Sequence, residues 1–174
     1  NRGLVEFHNA RWAETNMVAS LVCAEEWLNE GSCIVSYSDI FYSPLAVKSL
    51  MGCDAALALT YDPNWLELWK SRFNDPLSDA ETFRLKPQGI LAEIGSKPKS
   101  VDEVQGQYMG LLRFTPEGWA EVIRIRSGLT SEQCDNMHMT ATLQKVIEAN
   151  RLMIAALPYL GFWGEVDVKE DIDV

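Results

Sequence analysis

Six consecutive residues, Ala55-Ala56-Leu57-Ala58-Leu59-Thr60, are apolar up to a closing threonine. A strand with one wet face alternates apolar and polar side chains, whereas an unbroken apolar run marks a strand covered on both faces. The chain must therefore place helices above and below a sheet. Asp62-Pro63 ends the run, since proline cannot continue a ladder.

Upstream lies Ser32-Cys33-Ile34-Val35-Ser36-Tyr37-Ser38-Asp39-Ile40-Phe41-Tyr42, an apolar run that turns polar at a carboxylate. Its β-branched residues predict a strand. Ser43-Pro44 then supplies an N-cap and a first-turn proline for a helix over 44–51, closed by Gly52. Strand, helix, strand in that order predicts a right-handed parallel crossover. It also puts Asp39 past the carboxyl end of a strand, the edge where open α/β sheets bind ligands.

The other segments follow by pattern. Leu4-Val5-Glu6-Phe7 alternates and predicts a strand. A helix capped by Thr15 or Asn16 runs to Leu28 and stops at Asn29-Glu30-Gly31. Trp65, Leu66, Leu68, Trp69 and Phe73 predict a helix whose aromatic stripe packs in the core. Residues 81–85 and 90–94 predict a hairpin joined at Lys86-Pro87-Gln88-Gly89. A polar loop spans 96–105. A strand over 107–114 contains Gly110, which allows close approach. Thr115-Pro116-Glu117 opens a helix to Arg126, and 139–150 is amphipathic. Residues 153–157 and 163–168 predict late strands. The pattern is α/β with a mixed sheet and an inserted hairpin.

At 174 residues and 47% hydrophobic, the chain suits one domain with a substantial core. Its 25 acidic and 15 basic residues give a net charge of −10, which argues against nucleic-acid or membrane-surface partners. Lys86, Lys97 and Lys99 remain candidates for a local phosphate site. No apolar run approaches the roughly 20 residues of a membrane span. Cys23, Cys33, Cys53 and Cys134 form no C-x-x-C pair, and His8 and His138 are the only histidines, so common zinc spacings are excluded. Cys33 and Cys53 read as reduced core thiols, which suits the cytoplasm. His138, just before a helix, reads as structural.

Two carboxylates stand where strands end, Asp39 and Asp167 in Trp163-Gly164-Glu165-Val166-Asp167. Mg²⁺ takes one or two carboxylates plus substrate phosphates, so an aspartate pair at that edge suits phosphoryl or nucleotidyl transfer. Asp171-Ile172-Asp173 is a D-x-D, a pattern that holds metal and nucleotide sugar in some glycosyltransferases; a solvated acidic tail is the plainer reading.

In order along the chain stand Thr15-Asn16-Met17-Val18-Ala19-Ser20-Leu21, Ser36-Tyr37-Ser38-Asp39-Ile40, Glu93-Ile94-Gly95-Ser96-Lys97-Pro98, Gly106-Gln107-Tyr108-Met109-Gly110 and Trp163-Gly164-Glu165-Val166-Asp167-Val168-Lys169-Glu170-Asp171. Together they resemble the nucleoside-triphosphate transferases, in the branch of small-molecule cytidylyltransferases. The resemblance implies a Rossmann-like, mixed but mainly parallel sheet with helices on both faces. It implies Mg²⁺ held by Asp39 and Asp167, Lys97 near the acceptor phosphate with Glu93 alongside, and Tyr108 in the acceptor pocket. Asn16 and Ser20 would face the cleft, and Trp163 would contact substrate. The implied partners are CTP and a phosphorylated small molecule such as phosphocholine, a phosphonate or a sugar phosphate. For phosphocholine an aromatic box is wanted, with Trp12, Tyr37, Tyr42, Tyr108 and Trp163 as candidates.

That family opens with a strand and a Gly-rich loop, G-x-G-x-R, which nothing here matches. The reading is thus a single domain over 1–174, truncated at its amino end, with activity of this chain alone in doubt. An unpartnered strand edge would favour a homo-oligomer. The alternatives are a nucleotide-sugar glycosyltransferase or an inactive binding or regulatory module.

Overall fold

In a computed structural model that describes residues 3–169 and 171, β3 (Leu57–Asp62) is buried at every position. Leu57, Leu59 and Tyr61 point into one apolar cluster and Ala58 into another. The unbroken run therefore folds as its composition requires. The first cluster packs α1 (Met17–Val22), α2 (Glu25–Glu30), α5 (Pro116–Ser127) and α7 (Met139–Ala149) against the sheet. The second is covered by α3 (Pro44–Met51) and α4 (Trp65–Arg72). Trp65 and Trp69 on α4 lie 3% exposed, so the aromatic stripe is core.

The main sheet also contains β1 (Cys33–Ser36), β4 (Phe83–Lys86), β5 (Ile90–Ile94), β6 (Gln107–Phe114) and β7 (Ile154–Pro158), in the order β1-β6-β3-β7-β5-β4. Four strands (β1, β3, β4 and β7) run one way, and β5 and β6 run against them. β1 and β3 are parallel in direction, as the crossover predicts, but β6 lies between them and pairs antiparallel with both. A second sheet pairs β2 (Ile40–Tyr42) antiparallel with β8 (Trp163–Glu165).

Several expectations are corrected. Residues 4–7 form no strand; Leu4 is 92% exposed, and among the described residues no strand pairs with them. The predicted helix to Leu28 breaks at Cys23-Ala24 into α1 and α2. Residues 131–136, unassigned from sequence, form α6 (Ser131–Asn136), opened by a capping box between Thr130 and Gln133. The β4–β5 hairpin forms as predicted, with Gln88 and Gly89 both at positive φ in its turn.

Gly110 has φ +76°, and an added Cβ would lie 2.9 Å from the Tyr37 ring. What approaches there is a side chain of the same protein. Gly118 lies at the start of α5, where a Cβ would fall 2.2 Å from the Ala56 carbonyl oxygen. Glycine to alanine inside a helix ordinarily gains about 1 kcal/mol. Gly118→Ala should instead destabilise by about 1–3 kcal/mol, because the helix must move off the start of β3. Urea unfolding midpoints check it.

Candidate functional site

β1 ends at Ser36, and the chain bends through Tyr37, Ser38 and Asp39 before entering β2. β2 pairs with β8 so that Ile40 faces Glu165, and the Val166 N–H donates to the Asp39 carbonyl at 2.9 Å. This short ladder brings Asp39 and Asp167 to one end of the fold from opposite ends of the chain.

Asp167 lines a cavity of about 490 Å³ with Asp79, Glu81, Glu165, Tyr37, Tyr108, Trp69 and His138 in its wall. Asp39 lines an adjoining hollow of about 340 Å³. Met17 and Tyr37 belong to both walls, so the two hollows meet there. No hydrogen bond or ion pair among the described residues engages the exposed Asp39 carboxylate. Asp167 is bonded through one oxygen, and its side chain is 53% exposed. Among the described residues, no group of three or more His, Cys, Asp or Glu is arranged to hold a metal.

The electrostatic centre is Arg72, the last residue of α4, whose side chain is 3% exposed. Its guanidinium donates to Glu165 at 2.8 Å, Asp167 at 2.7 Å and Asp171 at 3.1 Å. It also lies over the rings of Trp69 and Phe73. Burial opposes its charge, but bonds to Asp171, Glu165 and Asp167 outweigh that and raise its pKa. Glu165 is pushed up by burial, with Arg72 opposing. Asp171 is held down to about 2, chiefly by Arg72 and then by the Val168 N–H.

A depressed folded-state pKa gives stability that is complete above the ordinary value and lost as pH falls through the shifted one. The contribution of Asp171 should therefore be full above 3.8 and vanish as pH falls toward about 2. Wild type should exceed Asp171→Asn in denaturant midpoint at neutral pH, with the gap closing across that window.

Glu81 is held by its neighbours. Gln107 Nε2 donates to its carbonyl at 2.8 Å, and the Thr140 hydroxyl donates to its carboxylate at 3.2 Å. Burial raises its pKa, with Thr140 opposing. Burial also pushes the Tyr37 phenol up to about 12 and the Tyr108 phenol upward. The Tyr108 hydroxyl is buried beside that of Tyr37, which adds to the upward shift of its pKa.

The chain is 34% identical over 179 residues to the CTP:phosphoglutamine cytidylyltransferase of Campylobacter jejuni subsp. jejuni serotype O:2, covering 97% of this chain and 70% of that protein. The chain belongs to the cytidylyltransferase branch of the nucleotidyltransferases. Its fold matches the inositol-1-phosphate CTP transferase of T. maritima with a TM-score of 0.70 at 15% identity, over 94% of this chain. A Bacillus anthracis structure assigned as a glucose-1-phosphate thymidylyltransferase, in complex with a sucrose, matches over 88% of this chain with a TM-score of 0.64 at 12% identity. The chain spans 60% and 56% of those two structures. No model of a known protein family matches it.

Within this cytidylyltransferase fold, the residues singled out from sequence part company. Asp39, Tyr108 and Asp167 line the two hollows. Lys97 is not in either lining; it donates to the Ser78 carbonyl at 2.5 Å and is close enough to Glu81 to lower its pKa. Asn16 caps α1, and its side-chain amide meets the His138 ring at 3.0 Å. Ser20 is turned toward Asn9, whose amide donates to it at 2.9 Å. Glu93 stands opposite Arg84 in the hairpin and pairs with it at 3.3 Å, away from the cavity. Trp163 is 6% exposed, packs on Trp69 and donates from Nε1 to Asp62 at 2.9 Å. It packs in the core under the site and is not in the lining of either hollow. Of the aromatic-box candidates only Tyr37 and Tyr108 line the cavity, where Trp69 joins them.

His138, read as structural, is in the cavity wall. Asp171 is not a solvated tail residue: both oxygens accept from Arg72, and one also accepts from the Asp167 and Val168 N–H groups. Its carboxylate is committed within the fold, which removes the basis for a D-x-D metal site. Glu170, Ile172 and Asp173 lie outside the described residues. Arg72, Glu81, Asp79 and Glu165 were not foreseen. A basic residue closing an aromatic helix was the one available signal for Arg72, and it reads equally well as a helix-dipole partner. No helix among the described residues is long and apolar enough to cross a membrane.

Proposed function

We propose that the protein carrying this chain transfers CMP from CTP to a phosphorylated small molecule and releases pyrophosphate. The observation that supports the reading is the β2–β8 ladder, which sets Asp39 and Asp167 at one end of the fold, each lining one of two adjoining hollows. The relative named for CTP and phosphoglutamine supports both substrate classes.

Asp39 and Asp167 are the residues that would hold Mg²⁺. The donor set fits: both are hard carboxylates, one exposed and one half exposed, the ligand type Mg²⁺ would take beside substrate phosphates. The ion would supply charge neutralisation on the nucleotide phosphates. Arg72 fixes the orientation of Asp167 from behind. Lys97, near Glu81, would offset charge on the acceptor phosphate. An acceptor phosphate oxygen is already anionic and can attack the α-phosphorus in line without a general base. The contribution of the chain is then positioning and charge compensation.

Pyrophosphate release by the full-length protein, with CTP, UTP, ATP and GTP tested against phosphorylated acceptors, checks this. Release with CTP is expected. Release with none of them, with or without Mg²⁺, would leave a binding role.

A further inference from the structure

Asp167 stands past the end of the ladder that brings it to the site. β8 stops at Glu165, and the bond from the Val166 N–H to the Asp39 carbonyl is the last across to β2 among the described residues. A segment beyond a ladder needs another source of order, or a ligand must order it at a cost in affinity.

Asp171 supplies that order. Its Oδ2 accepts from the N–H groups of Asp167 at 2.9 Å and Val168 at 3.1 Å, and its own N–H donates to the Val168 carbonyl at 3.1 Å. Arg72 donates to both Asp171 oxygens, at 3.1 and 3.2 Å, and its Nη2 also donates to Asp167 Oδ2 at 2.7 Å. Asp171 therefore grips residue 167 twice, directly at the backbone and through Arg72 at the carboxylate. Hydrogen bonds with an ionised partner are the stronger kind. Asp167 Oδ1 is left without a hydrogen bond among the described residues.

Asp171 itself has little to offer a ligand in the site. It is in the lining of neither the main cavity nor the Asp39 hollow, its side chain is 8% exposed, and both oxygens are engaged. It borders instead a neighbouring hollow of about 340 Å³, with Ser71 and Phe73.

We propose that Asp171 is a positioning residue for the metal site, fixing the backbone of Asp167 and, through Arg72, the carboxylate orientation that leaves Oδ1 open to a cation. This rests on the reading of Asp39 and Asp167 as the pair that holds Mg²⁺, and it adds the residue that presents one of them. Partners of this kind commonly set metal affinity by about ten- to a hundredfold without touching the ion.

Two measurements on the full-length protein test it, neither needing turnover. The first is amide hydrogen exchange at Asp167 and Val168, read by NMR without metal. The second is Mn²⁺ affinity in the presence of a non-hydrolysable CTP analogue, read by water-proton relaxation; Mn²⁺ suits the same carboxylate and water ligands as Mg²⁺. In Asp171→Ala the two amides should exchange about tenfold faster or more, the scale of one lost charge-assisted bond, while the Val166 amide is unchanged. Mn²⁺ should bind that variant up to about a hundredfold more weakly. Asp171→Asn keeps an oxygen for the two N–H groups and loses the charge facing Arg72, so its Mn²⁺ affinity should fall by about tenfold. A purely structural role would lower the unfolding midpoint and leave Mn²⁺ affinity alone. Unchanged exchange at the two amides, or unchanged Mn²⁺ affinity beside a wild type that binds, overturns the proposal and leaves the metal reading standing. If Asp171→Ala does not fold, the Mn²⁺ affinity of Asp171→Asn decides. Should wild type bind no Mn²⁺, the metal reading of Asp39 and Asp167 fails and this proposal fails with it.

Discussion

Asp167→Asn in the full-length protein should lower CMP transfer by about a hundred- to a thousandfold, the scale for losing one group that stabilises transition-state charge. The substitution keeps side-chain volume and removes one negative charge. Arg72 would still hold Glu165 and Asp171, so the variant should fold with little loss of stability. Asp39→Asn should lose activity on the same scale, and with still less effect on folding, because no described residue engages that carboxylate. Both variants should also need more Mg²⁺ for half-maximal rate. Initial rates of pyrophosphate release against Mg²⁺ concentration, beside a thermal melt, check all three points. Near-normal turnover by either variant would remove that aspartate from the proposed metal site.

Arg72→Ala should give the largest loss of stability among single changes near the site, about 3–5 kcal/mol, the cost of leaving buried charge uncompensated. Three carboxylates would lose their common counter-charge, and two rings would lose the guanidinium stacked over them. Arg72→Lys should recover only part of that loss, because an ammonium cannot fork to three separate oxygens. Urea unfolding of wild type and both variants at neutral pH measures the differences. In the triple variant Arg72→Met with Glu165→Gln and Asp171→Asn, much of the stability should return, because the desolvated charges leave together.

What the sequence could reveal divides by distance along the chain. β3 was legible because an apolar run has a local meaning. The β4–β5 hairpin and the caps at Ser43 and Thr115 are likewise short-range chemistry. The break at Cys23-Ala24 was not legible, because Val18 and Leu28 keep a helical stripe through it and Ala24 offers no capping side chain. The insertion of β6 between β1 and β3 is a long-range pairing that no local pattern encodes. At the site, Asp39, Tyr108 and Asp167 carry motif signals. Arg72 and Glu81 matter only because remote segments fold onto them. The burial of Trp163 was not legible because a tryptophan at a strand end looks the same in sequence whether it faces solvent or core.

The β2–β8 ladder has a consequence for how the protein comes together. All six strands of the main sheet are complete by Pro158, before β8 begins at Trp163. A nascent or shortened chain ending between those points could assemble its scaffold and still lack the clasp that draws position 167 toward position 39. Such a product would lack Asp167 yet look native by its bulk secondary structure, so far-ultraviolet circular dichroism would not distinguish it from the full chain.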